Sequence, residues 1–100
     1  MANNHKQLKK EYQGLVAVVA KVIKEWDPYA LLKGGAPDDE FDSEVSLVVA
    51  QVSRITSPSD AAQAISRVFS AQFEPNLFTP ELCAQVGEQL FTELKSHGYV

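Results

Sequence analysis

A single cysteine, Cys83, leaves this 100-residue chain no internal disulfide to staple it. Its place on an apolar helical stripe makes a buried thiol the expected state. Long apolar runs are missing too. The longest, residues 15–20, is six residues, far short of the roughly 20 that cross a bilayer. The start of the sequence, with His5 and Lys6 leading into an amphipathic pattern, does not read as an apolar signal core, and these absences point to a cytoplasmic chain. Histidine occurs only as His5 and His97, too scattered with Cys83 to ligate zinc. Cys83 and His97 stand about three and a half to four helical turns apart, which forbids a nucleophile–base pair. The Gly34-Gly35 pair has no following Lys-Ser/Thr, so a phosphate cradle is unsupported. No Glu-x-x-Glu occurs, which weakens a paired-carboxylate magnesium site of the kind found in all-α nucleotide hydrolases. Catalysis is therefore not expected, and neither is a cofactor.

What is present is the composition of an ordinary globular domain: 45% apolar and 22% charged residues, enough for one core spanning residues 1–100. The net charge of −4 is unevenly laid out. Residues 1–24 sum to +4, from Lys6, Lys9, Lys10, Lys21 and Lys24 against Glu11, whereas residues 27–44 sum to −5. Such segregation can steer a partner or place the basic helix beside the acidic segment. An acidic balance without lysines interleaved among exposed aromatics disfavours nucleic acid.

The periodicity is helical throughout. Leu8, Tyr12, Leu15, Val19, Val22 and Trp26 step by fours and threes, one face of a helix over residues 4–26. Val16, Val18 and Ile23 widen that stripe and make this helix the most buried of the set. Phe41, Val45, Val48, Val52 and Ile55 mark a second helix. Ser57-Pro58-Ser59-Asp60 starts a third, with a serine cap, proline at the first helical position and an acid at the third. Ala61, Ala64, Ile65, Val68 and Phe69 then face inward. Thr79-Pro80-Glu81 starts the fourth, which buries Leu82, Cys83, Val86, Leu90 and Leu94 and stops at Gly98 with Lys95 and His97 in its last turn. The expected architecture is all-α: a compact four-helix bundle with a short extra helix in the first interhelical connection.

That connection holds the unusual residues. Residues 26–44 contain the only Trp, two prolines, a glycine pair and six of the thirteen acids. Asp27-Pro28 reads as an Asp cap followed by proline at the first helical position, with Trp26 stapling onto Leu31. The short helix would run over residues 28–33 and stop at Lys33-Gly34, and Gly34 to Pro37 would make the return turn. Trp26, Asp27, Pro28, Gly34 and Pro37 are thus structural candidates. Asp38 or Asp39 would cap the second helix, and Glu40, Asp42 and Glu44 would fill its first turns, each favouring the dipole by about 0.3–1 kcal/mol. Capping accounts for most of these acids. Their density is left over, because mutual repulsion opposes it unless a cation or a basic surface is near. A calcium loop fails on Ser43 and Val49, which stand where the turn glycine and the bidentate glutamate belong.

Trp26-Asp27-Pro28, Gly35-Ala36-Pro37 and Asp39-Glu40-Phe41-Asp42 with Glu44 resemble the signature of the small YugE-like bacterial domains of unknown function, in which tyrosine is more usual where Phe41 stands. The resemblance implies a cytoplasmic helical domain of about this length without an assigned activity. Similar short acidic helical domains occur as immunity proteins beside bacterial toxins. The expectation is a non-catalytic domain that binds a protein with a basic surface, not nucleic acid or membrane, through Tyr29, Asp38, Asp39, Glu40, Asp42 and Glu44. Tyr29 would be its aromatic anchor. The alternative is an enzyme or sensor holding a divalent cation through Asp38, Asp39, Asp42 and Glu44.

Overall fold

The computed structural model describes the backbone of residues 3–100 and the side chains from Lys10 onward, that of Pro75 excepted. The side chains of His5 and Leu8 lie outside the described residues. Among the described residues the fold is all-α, with four α-helices, three 3₁₀ turns and no strand. The helices are α1 (Asn3–Trp26), α2 (Asp42–Val49), α3 (Pro58–Gln72) and α4 (Ala84–Ser96). None is long and apolar enough to cross a membrane.

The stripes build the core much as their spacing predicts. Val19, Val22 and Ile23 of α1 meet Val45 and Val48 of α2, Ile65 and Phe69 of α3, and Leu90 and Leu94 of α4, all of them buried. Full burial of each such side chain is worth about 1.5–3 kcal/mol. The centre of the bundle is the α3–α4 pair, not α1. Seven residues of α3 are buried, against four of the described residues of α1. Gly87 makes that pairing possible, since a Cβ there would fall 2.6 Å from the Cα of Ala62. Tyr12 belongs to the apolar stripe of α1 yet is 55% exposed, because periodicity names a face without saying how far along it the partner helices reach.

The helix ends show the chemistry of capping. The Ser57 hydroxyl accepts from the Asp60 N–H at 3.1 Å, as its N-cap position predicts. The Asp60 carboxylate reaches back to the N–H (3.0 Å) and hydroxyl (2.6 Å) of Thr56, and these bonds hold its pKa below the ordinary carboxylate value. Gly98, at φ 79°, ends α4, with Tyr99 N–H bonded to the Leu94 carbonyl and Gly98 N–H to that of Lys95.

Three boundaries differ from expectation. The second stripe is wholly buried, but its helix stops at Val49 and the chain continues through a 3₁₀ turn (Val52–Arg54) that keeps Val52 and Ile55 pointed inward. α2 is preceded by buried Phe41 without a side-chain cap, so neither Asp38 nor Asp39 caps it. At α4, the Thr79 hydroxyl accepts from Leu82 N–H at 3.3 Å and forms a turn, and the helix itself begins at Ala84. Leu82 therefore lies outside the helix and is 61% exposed instead of buried.

Candidate functional site

Where α1 ends, the chain turns sharply. The short helical segment here is a 3₁₀ turn, Pro28–Ala30, rather than an α-helix over residues 28–33. The residue before it and two of its own are left-handed: Asp27 has φ 47°, Tyr29 φ 63° and Ala30 φ 52°. Aspartate tolerates that region, but tyrosine and alanine enter it at a cost of about 1–2 kcal/mol each. Asp27 holds the turn together. Its Oδ1 accepts from Leu32 N–H at 2.9 Å and its Oδ2 from Lys33 N–H at 3.0 Å. Those are the donors an N-cap side chain would satisfy for a helical turn beginning at Leu31. Asp27 thus does cap, but it caps a turn further along than its Asp-Pro spacing predicts. Gly35 ends that turn at φ 103°, with Ala36 N–H bonded to the Leu31 carbonyl and Gly35 N–H to that of Leu32. The left-handed stop is Gly35 and not Gly34. Pro37 opens the next turn, its carbonyl accepting from Glu40 N–H at 3.0 Å.

This path lays Tyr29 across a cluster of aromatic rings. Trp26, half-buried, meets Phe69 and Phe78 edge-on at 5.0 and 5.8 Å between centroids. Tyr29 lies 5.6 Å from both Phe73 and Phe78 while remaining 47% exposed. Phe78 is fixed from beneath, where the hydroxyls of Ser66 and Ser70, one turn apart on α3, both donate to its carbonyl. Between these elements runs a groove of about 320 Å³ lined by Trp26, Pro28, Tyr29, Leu77, Phe78 and Leu82. Leu77 and Leu82, 48% and 61% exposed, form its far edge.

Asp38, Asp39 and Glu40 are exposed on the same connection, and Asp42 is exposed at the first residue of α2. Glu44 is not part of that edge. It is buried on α2, and burial pushes its carboxyl above the ordinary range. Its own backbone N–H opposes the rise, and the charge of Glu40 adds to it. A glutamate one helical turn past Glu40 lands on the side of α2 that meets the bundle, which the acid count alone could not show. Among the described residues no three His, Cys, Asp or Glu side chains stand together in a way that would hold a metal ion. Cys83 is fully buried, and burial pushes its thiol up to about 11, so it is no nucleophile at neutral pH. His97 lies at the far end of α4, 3.8 Å from Glu93.

Leu77, Phe78 and Leu82, with the two serines beneath, lie outside the site residues expected from the sequence. Their signal is the cluster Phe73, Leu77 and Phe78 around Pro75, an apolar concentration in a loop where polar residues are the rule.

Residues 18–99 match DUF1871, a family described as a domain of unknown function. The chain belongs to that family. The matched span starts at Val18, the first buried residue among those described, and takes in the whole core and both walls of the groove. No curated protein and no solved structure matches the chain.

Proposed function

We propose that this chain is a non-catalytic protein-binding domain, and that its contact surface is the groove between the 26–30 turn and the 77–82 edge with the acidic residues 38–42 as flank. The observation that carries this reading is Tyr29. It is a large aromatic held in a left-handed conformation, half-exposed, at the mouth of an apolar groove. Backbone cost of this kind persists where surrounding structure imposes it, and it concentrates at ligand clamps and binding surfaces. Tyrosine and tryptophan are also the residues that most often dominate interface energy.

The flank defines the partner. Asp38, Asp39, Glu40 and Asp42 are exposed, with Lys33 the only base on the connection. The partner is therefore a protein that offers an apolar side chain to the groove and a basic surface to the acids, which speed encounter and fix orientation. An immunity-type inhibitor of a toxin is the sharpest form of this reading, and a regulatory module the plainer one. The Trp-Asp-Pro and Asp-Glu-Phe-Asp segments resemble those of the YugE-like bacterial domains, and a cytoplasmic bacterial setting is part of this proposal on that resemblance alone.

A photo-crosslinking residue in place of Tyr29, used in living cells, tests the reading. A single cross-linked protein with a basic surface is expected, and it should be lost with Leu82→Asp or with charge reversal at Asp38, Asp39 and Asp42. A cross-link indifferent to both changes would refute the surface.

A further inference from the structure

The chain has only two arginines, Arg54 and Arg67, and both line one cleft of about 250 Å³ between the Val52–Arg54 turn and α3. Gln51, Asp60 and Gln63 complete its polar wall. The cleft is separate from the aromatic groove and shares no lining residue with it. Arg67 Nη1 donates to Gln51 Oε1 at 2.6 Å, which tethers that guanidinium to the residue before the Val52–Arg54 turn. Among the described residues Arg54 makes no side-chain hydrogen bond and neither arginine forms an ion pair, although Asp60 lies in the same cleft. Asp60 Oδ2 is engaged instead by the N–H and hydroxyl of Thr56. Arginines placed to stabilise the fold would pair with that carboxylate. Here two planar donor groups line one cleft, Arg67 held by the neutral Gln51 carboxamide and Arg54 with no side-chain acceptor among the described residues.

We propose that this cleft binds the phosphate group of a small organic phosphate monoester. A carboxylate has only two oxygens, and one bidentate guanidinium engages both. A phosphate dianion offers three terminal oxygens and can engage both guanidinium forks and the Gln63 carboxamide together. The two arginines match the two charges of the dianion, and with Asp60 the three ionised groups of the cleft keep one net positive charge.

The two arginines supply their own reporters, because a ¹⁵N spectrum of the chain contains just two Nε–Hε arginine signals. Titration with phenyl phosphate at constant ionic strength should move both signals along one saturable curve. Benzoate should bind at least about tenfold more weakly, having fewer acceptor oxygens. Arg54→Gln, which disturbs no hydrogen bond of the fold, should weaken phenyl phosphate binding by about tenfold or more at unchanged melting temperature. Arg67→Lys should do the same, since an ammonium lacks the fork. Tighter binding of phenyl phosphate than of a phosphoserine dipeptide marks the ligand as a free small molecule, and the reverse order would overturn that part of the assignment. Signals that stay still, or a curve that Arg54→Gln leaves unchanged, would overturn the site.

Discussion

At the scale of single residues, two carboxylates behave against their first appearance. Asp27 satisfies two backbone donors with two different oxygens. An N-cap would need one, and asparagine would then serve as well. With both oxygens used, Asp27→Asn turns an NH₂ group against a backbone N–H, and should cost about 1–3 kcal/mol in urea unfolding, close to the cost of Asp27→Ala. A silent Asn substitution would mean that the second bond is absent. Glu44 carries the opposite lesson. Its carboxyl is raised by burial, so the folded state binds the proton more tightly than the unfolded one. Its contribution to stability is then best below the ordinary value of 4.5 and declines as pH rises through the raised folded value. Glu44→Gln, which cannot ionise, should melt at or above wild type at pH 7, with the gap closing as the pH falls toward 4.5. A variant less stable than wild type at neutral pH would show that the ionised carboxylate is favourable where it sits.

Among the elements, the helices were legible and the connection was not. The stripes of α1 and α3 and the serine cap of α3 follow from spacing and from residue types that do one thing in one place. The second stripe, Phe41 through Ile55, runs on past the end of its helix because a 3₁₀ turn can carry the same side chains inward, so spacing alone lengthens α2. Asp-Pro and Lys-Gly mark where a turn starts and stops, but left-handed Tyr29 and Ala30 leave no mark in residue type. Acid density marks residues 38–44 in the sequence, whereas the groove comes from residues far apart in sequence, with Phe78 held by Ser66 and Ser70. The connection can be tested directly at Ala30, whose φ of 52° suits glycine better than alanine. Ala30→Gly should raise stability by up to about 1 kcal/mol, the relieved backbone cost less the added freedom of the unfolded chain. A clear loss of stability would place Ala30 in an ordinary conformation.

For the whole molecule, a small bundle has put its regular residues into one core and its irregular ones into a surface. Three of its exposed large apolar side chains, Tyr29, Leu77 and Leu82, gather at one groove with the only tryptophan as its wall. Trp26 is for that reason a built-in probe of occupancy. The most direct measurement labels the chain with 5-fluorotryptophan, which introduces one ¹⁹F signal, and titrates it with the unlabelled partner captured through Tyr29. The account predicts that this signal shifts as the groove is covered, and that both shift and affinity weaken in the Leu82→Asp variant. It also predicts weaker affinity at high salt, because the acidic flank is screened. A partner that binds with full affinity while the Trp26 signal stays where it is would contradict the groove as the contact surface.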